Sequence, residues 1–293
     1  MNITLVADRL NWGGHHNIEY VVEVCKDKHD FTVVDLLGLS QDHVKDADLV
    51  MGWIDSTEEA IYRLWKEHKF PFASRVTGWK SIYRTIRYPR HIKDAIIGVT
   101  CCSQELAIAA RRIYPTDLVE CIPVGVDTEA FKPAERLGKG WAWIGRRKDS
   151  QKDEDMMKRV RWRVRNVKLR TQKWRGKKVV PTNWPEDMVE FYQGCRGFFR
   201  TSRLEGSSNC LLEAMSCGIP VLATPTGVAF RIVDPMWLMM DPRHFIRAIK
   251  LLNDDDELAI ATGRQNRETI LDGWTIQDRR EPWLSFFEEC VKR

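Results

Sequence analysis

The chain has 293 residues, 43% apolar and 30% charged, with a net charge of +5. At roughly 100–200 residues per domain this predicts two soluble domains with proper cores. No apolar run approaches the roughly 18 residues of a membrane span, and Met1–Asp8 has neither a basic n-region nor a long apolar one. Both features argue against an integral membrane, secreted or fibrous protein.

In chain order, Ile3–Ala7 reads as a strand, followed by a loop with Gly13 and Gly14 and a helical pattern through Ile18, Val21, Val22 and Cys25. Further strands are expected at Phe31–Val34, Asp48–Met51, Phe72–Val76 and Ile96–Val99. A helix is expected over Glu58–His68, and another from an N-capping Ser103 to Ile113. Cys121–Asp127 closes this half, and a second alternation begins after Pro133 with a strand at Trp141–Ile144. Met156–Thr171 fits both a helix (Met157, Val160, Val164) and a hairpin turning at Arg165–Asn166. We read a helix to about Arg165 and a strand over Val167–Thr171. Then follow helix Pro185–Gly194, strand Gly197–Arg200, helix Cys210–Cys217 and strand Pro220–Thr224. Helices near Pro242–Leu252, Asp256–Leu271 and Gln277–Val291 complete the chain. Short apolar strands alternating with amphipathic helices give an α/β fold with two doubly wound, Rossmann-like halves and predict a ligand in a cleft between them. No G-x-G-x-x-G is present, which disfavours a nicotinamide or flavin enzyme.

Eight cysteines include no C-x-x-C pair, and most lie in apolar stretches. They read as reduced, buried thiols of a cytoplasmic protein. Seven histidines show no ligand spacing, so no metal is expected. Charge is strongly segregated. Residues 146–178 hold 15 Lys/Arg against 4 Asp/Glu, and residues 63–93 hold 9 against 1. These surpluses of 11 and 8 leave the rest of the chain at −14. Two basic stretches in an otherwise acidic chain suggest a polyanionic partner, or else two solvated faces.

The most informative stretch is Ser202–Thr224. A strand ends in a small-residue loop that opens a helix, so backbone N–H groups of Gly206, Ser207, Ser208 and Asn209 would point outward as a nest for an anion or sugar hydroxyls. Glu205 would stand at the loop mouth and Glu213 a turn inside the helix, where two carboxylates could accept from two sets of vicinal hydroxyls. The bland alternative makes Glu213 a first-turn acid favoured by the helix dipole and Glu205 a solvated loop residue.

These residues carry a resemblance. Glu205 and Glu213 have the spacing of the E-x7-E motif of retaining GT-B glycosyltransferases of family 4 (glycosyl transferases group 1), and Glu213–Thr224 resembles that family's run beginning EAMA. Ile122–Phe131 is similar to its inter-domain signature, with Gly125 where Asn is usual. Gly145-Arg146 resembles its phosphate loop, with Lys152 one residue late, and Gly13-Gly14 its N-terminal glycine pair. The similarity runs from Gly13 to Trp283.

The resemblance implies a GT-B fold of two Rossmann-like domains facing across a cleft. The N-terminal acceptor-side domain would span 1–130, the nucleotide-sugar domain 131–273, and a helix in 274–293 would pack back on the first. It also implies a nucleotide-sugar co-substrate, UDP-linked in preference to GDP-linked, with no metal and no other bound cofactor. Arg146, Lys152 and Glu205 are then the catalytic set. Glu205 would take the donor sugar, Glu213 the ribose, and Arg146 and Lys152 the diphosphate as charge develops. Gly13, Gly14, Gly206, Ser207, Ser208, Asn209 and Leu212 complete the donor site. The departing phosphate would take the acceptor's proton, so no side-chain base is named.

Arg75–Lys80 stands where the family has a T-H-G loop, so its His is missing, and His15 or His16 is the candidate substitute. With Trp79, Lys80, Arg84 and Arg87 they form the candidate acceptor set. Basic residues interleaved with Trp65, Phe70, Phe72, Trp79, Tyr83 and Tyr88 suit phosphate contact with stacking, or an anionic bilayer surface. Three readings follow. A hydroxylated modified base in duplex DNA is the specific acceptor expected, as in bacteriophage-type DNA glycosylation, which would place the protein in the cytoplasm, including a host's. A lipid-linked or cell-surface saccharide at an anionic membrane face is the second. An inactive GT-B module that clamps nucleic acid is the third.

Overall fold

A computed structural model of the chain describes residues 1–9, 13–146, 151–172 and 184–293. It divides into two compact units, Met1–Gly125 with Ile276–Arg293, and Val126–Thr275. In chain order the first holds β1 (Asn2–Ala7), α1 (Gly13–Cys25), β2 (Asp30–Asp35), β3 (Leu49–Gly52), α2 (Glu58–His68), β4 (Phe72–Val76), α3 (Trp79–Thr85), α4 (Arg90–Asp94), β5 (Gly98–Cys101), α5 (Gln104–Ala110) and β6 (Val119–Cys121). The second holds β7 (Trp141–Arg146), α6 (Glu154–Arg163), β8 (Val167–Gln172), α7 (Glu186–Gln193), β9 (Gly197–Arg200), α8 (Asn209–Ser216), β10 (Val221–Ala223), α9 (Ala229–Ile232), α10 (Pro242–Asp254) and α11 (Asp256–Leu271). The chain then returns to the first unit as α12 (Arg280–Val291).

The first unit is a six-stranded sheet in the order β2-β1-β3-β4-β5-β6, with all its pairings parallel. β3, β4 and β5 are buried at every residue. Helices cover both faces of a parallel sheet, so β3 reads as an unbroken apolar run rather than an alternating one, while β4 and β5 also bury Ser74, Arg75 and Thr100. Ile3, Leu5, Leu49, Met51, Trp283 and Phe287 share one core, so α12 belongs to it. Arg280 fastens the helix by donating from Nη1 and Nη2 to Asp27 at 2.6 and 2.7 Å. Gly98 lets β5 approach α12, since a Cβ there would stand 2.7 Å from the Cys290 sulfur.

The second unit is a four-stranded parallel sheet in the order β10-β9-β7-β8. Its strand order reverses between β7 and β9, and that of the first sheet between β1 and β3. Open α/β sheets bind ligands outside the carboxyl ends of strands at such reversals.

The structure corrects some boundaries. Gly13 and Gly14 open α1 rather than standing in a loop before it. The ambiguous 156–171 segment is a helix that ends at Arg163, two residues early, followed by β8. Asn166, at φ 62°, turns the chain between them in the left-handed region that Asn tolerates. The strand expected at Ile96–Val99 begins at Gly98, and the helix that Ser103 caps ends at Ala110. The final helix begins at Arg280, after a short 3-10 turn over Gln277–Arg279. Helices α3, α4 and α9 and the short strand β6 were not expected. Each is short, and its pattern spans too few turns to register.

Candidate active site in the C-terminal unit

The loop after β9 folds onto the segment after β7. Lys152 bridges Ser202 in antiparallel fashion, the Asp153 amide donates to the Thr201 carbonyl at 2.7 Å, and the Arg203 amide donates to the Gln151 carbonyl at 2.8 Å. Trp143 on β7 braces the joint, its Nε1 donating to Thr201 Oγ1 at 3.1 Å, and that hydroxyl donates to the Asp153 carbonyl at 2.9 Å. Asp153 also caps α6 by accepting from the Met156 amide at 2.9 Å and pairs with Arg203 at 3.1 Å. Burial pushes its carboxyl up, but Arg203 and the cap amide prevail and hold it below the usual carboxylate range. From the other side, Thr224 Oγ1 accepts from the Ser202 amide at 2.9 Å and donates to the Ser202 carbonyl at 2.7 Å.

This scaffold brings Lys152 and Glu205 together as an ion pair, with side chains 17% and 13% exposed. Ser202 Oγ donates to the same Glu205 oxygen at 2.8 Å. Glu205 is therefore not the solvated loop residue of the bland alternative. Behind the pair lies Arg200, 1% exposed at the end of β9. Its Nη2 donates to the Thr224 and Thr226 carbonyls at 3.1 and 2.9 Å, while Nε and Nη1 have no hydrogen-bond partner among the described residues. Burial pulls this guanidinium's pKa down, and the charge of Glu205 works against it. Sequence reasoning missed Arg200. Its one signal is an arginine ending a four-residue apolar strand.

Glu213 is the fifth residue of α8 and 7% exposed. Its Oε2 accepts from the Tyr192 hydroxyl at 2.8 Å. It is no first-turn acid, because the first turn of α8 has none. Burial first, and the Glu213 carboxylate second, push the Tyr192 phenol well above its usual pKa. That fixes it as the donor to Glu213. Ser208 caps α8 with its backbone only. The amides of Gly206, Ser207 and Ser208 donate to no protein group among the described residues, and Ser207 Oγ is buried without a partner. The loop is held in place from behind by the Val228 amide, which donates to the Gly206 carbonyl at 3.2 Å. Gly227, at φ 55°, makes this approach possible, since a Cβ there would stand 2.2 Å from that carbonyl oxygen. Leu212 is fully buried and supports the helix from its core face. Arg146 ends β7, its backbone paired with Gln172; the expectation for its side chain lies outside the described residues, as do residues 147–150 and 173–178 of the basic stretch.

The acceptor candidates lie on the first unit. His15 and His16 stand in the first turn of α1 and both turn to Glu19, with Nδ1 at 3.6 and 2.9 Å from its carboxylate. Among the described residues this is one group whose ligand-type atoms lie within 4.8 Å of one another, a helical i, i+1, i+4 spacing that the sequence reading passed over. Burial lowers the His15 pKa despite Glu19. Trp79 is half-buried, its ring 6.5 Å from Tyr83, and Lys80, Arg84 and Arg87 are exposed on α3 and the turn after it. Of the six interleaved aromatics only Phe70 and Phe72 are buried.

Arg75 differs from its basic neighbours. It is 2% exposed within β4 and lies 4.9 Å from the rings of both Trp53 and Trp283, themselves stacked 5.3 Å apart. It donates to Thr100 Oγ1 at 3.2 Å and the Ile122 carbonyl at 3.0 Å. Two cation–π contacts are worth about 0.5–2 kcal/mol each, against a burial penalty of several kcal/mol for an ion.

The cysteines are all free, and burial raises the pKa values of Cys25, Cys101, Cys195, Cys210, Cys217 and Cys290, those of Cys25 and Cys290 to about 12. They are inert thiols. No helix among the described residues is long and apolar enough to cross a membrane.

The two parallel α/β units have the architecture of GT-B glycosyltransferases. Residues 153–255 match the family model for glycosyl transferases group 1. The fold is shared with the sucrose-phosphate synthase of Thermosynechococcus elongatus, at TM-score 0.79 and 12% identity over 100% of this chain and 99% of that one. Anabaena HepE in complex with UDP-glucose matches at TM-score 0.79 and 11% identity, over 99% and 100%. A glycosyltransferase from Rickettsia africae matches at 0.72 and 13%, over 100% and 99%. No curated protein matches by sequence.

Proposed function

We propose that the protein is a retaining glycosyltransferase that moves a hexose-type sugar from a UDP-sugar to a hydroxyl acceptor. The observation that carries this reading is the Lys152–Glu205 pair beside the open amides of residues 206–208, at the β7/β9 reversal. HepE is similar in fold and its structures hold UDP and UDP-glucose, which favours a UDP donor here. On arrival of the diphosphate, Lys152 would turn from Glu205 to the phosphate oxygens, where the loop amides and Arg146 also donate. The freed Glu205 carboxylate would accept from sugar hydroxyls, and Glu213, held by Tyr192, from the ribose. The acceptor oxygen would form its bond to the anomeric carbon as the bond to the diphosphate breaks. Its proton passes to the leaving phosphate on the same face. Cations at that phosphate stabilise charge as it develops, the kind of electrostatic effect that dominates many reactions.

For the acceptor we favour a hydroxylated base in duplex DNA. Arg63, Lys66, Lys69, Lys80, Arg84, Arg87 and Arg90 are exposed on the first unit. On α6, Lys158, Arg159, Arg161 and Arg163 surround a Trp162 that is 77% exposed. Such cations with an open aromatic suit phosphate contact and base stacking.

Thermal unfolding with UDP, GDP, ADP and CMP, beside Arg146→Ala, tests the donor. A shift with UDP that the variant loses is expected. No shift with any nucleotide, in a protein that unfolds cooperatively, would favour the nucleic-acid-binding module. Duplex binding that falls steeply from 50 to 200 mM salt is expected for the acceptor. Absent duplex binding, with retention on anionic vesicles, would give the acceptor to a membrane-borne saccharide.

A further inference from the structure

The first unit has a small, partly open cavity of about 20 Å³, room for one water-sized or slightly larger group. It is lined in part by Tyr20, Trp53, Arg75, Gly125, Arg279 and Trp283. The Trp53 side follows β3, so the cavity sits at the carboxyl end of the sheet, beside the β1/β3 reversal. Nothing in the reading of the second unit uses it.

Two buried donors on its lining have no hydrogen-bond partner among the described residues, Arg75 Nε and Trp53 Nε1. Among the described residues no carboxylate pairs with Arg75. Its partners are a hydroxyl, a carbonyl and two indole rings. A water molecule would satisfy the donors but leave the guanidinium charge uncompensated in the core. An anion does both, since a charge-assisted bond to a guanidinium is stronger than a neutral one. The lining offers donors, a full positive charge and little space, a combination that fits a small monoanion and excludes a tetrahedral dianion.

We propose that this cavity is a binding site for a small monoanion, a halide or a carboxylate group, held by the Arg75 guanidinium together with Trp53 Nε1. The group enters either as a free ion or as the carboxylate of a larger molecule. The proposal is independent of the glycosyltransferase reading.

The test is thermal unfolding against chloride, bromide, formate, sulfate and glucuronate, with ionic strength held constant by isethionate, whose tetrahedral sulfonate the cavity does not fit. A saturable rise with chloride, bromide and formate is expected, reaching roughly 3–8 °C at a hundredfold excess over Kd, and sulfate should give none. A rise with glucuronate as well would support the site as taking a carboxylate on a larger molecule. Arg75→Met should abolish the rise. Trp53→Phe keeps an aromatic ring and removes Nε1, and it should weaken anion affinity several-fold. It decides the matter if Arg75→Met fails to fold. The proposal is overturned by an anion-independent melting temperature in the wild type, or by a rise that persists unchanged in Trp53→Phe or in a folded Arg75→Met. A UDP shift that survives in Trp53→Phe keeps this test separate from the donor site.

Discussion

Arg75 and Arg200 make an instructive pair. Each lies near the carboxyl end of a parallel strand, each is at most 2% exposed, and neither has an ion-pair partner among the described residues. Their surroundings differ. Arg200 lies close enough to Glu205 to be influenced by its charge and clamps the Thr224 and Thr226 carbonyls, so it braces the segment behind the Lys152–Glu205 pair. Arg75 has aromatic faces and thiols around it instead. Buried cations of the same type thus serve a charged, hydrogen-bonded floor in one sheet and an aromatic-lined cavity in the other. The neighbouring loops decide which.

The comparison breaks most sharply at Lys152. Lys152→Ala should lower the transfer rate about 100–1000-fold, the usual loss for one donor to developing charge. Stability should fall by about 1–3 kcal/mol, since the pair is mostly buried and Glu205 loses its cation while keeping the Ser202 hydroxyl. Equal losses of activity and stability, by steady-state kinetics and denaturant unfolding, would make the pair structural. Arg200→Met comes next. It removes the guanidinium's bonds to the Thr224 and Thr226 carbonyls, each of which keeps one backbone amide donor, at about 0.5–1.5 kcal/mol each, and hydrogen exchange should report the loss in the second unit only. Gly227→Ala drives a Cβ against the Gly206 carbonyl at a positive φ. A loss of about 1–3 kcal/mol is expected, with weaker UDP binding by calorimetry because the amide loop shifts.

The smallest effect concerns pH. His29 is buried between Phe31 and Phe287, both ring nitrogens unpartnered among the described residues. Burial lowers its pKa below the unfolded value. The unfolded chain therefore binds the proton more readily, and stability falls as pH drops below about 6.5. The slope is at most about 1.4 kcal/mol per pH unit for one such group. The first unit should weaken in this window, followed by hydrogen exchange, and His29→Gln should flatten the dependence.

The sequence by itself determined the two alternations of parallel strands and helices, because a strand buried on both faces is mostly apolar. Phe72–Val76, Gly197–Arg200, Glu58–His68 and Asp256–Leu271 fall where their patterns place them. It also marked Glu205, Glu213 and the small-residue loop, because a loop that leaves its amides open needs short side chains. Three matters were decided only by tertiary structure. Arg75 counts as one of nine basic residues in a surface-like run, yet the stack of Trp53 on Trp283, 230 residues away in sequence, encloses it. Tyr192 carries no signal of its own until α7 packs beside α8 and turns its hydroxyl to Glu213. Lys152 meets Glu205 because the bridge to Ser202 draws two distant loops into register. Periodicity records which face of an element is buried. Which polar groups meet at the strand ends depends on loop geometry, which no repeating pattern encodes.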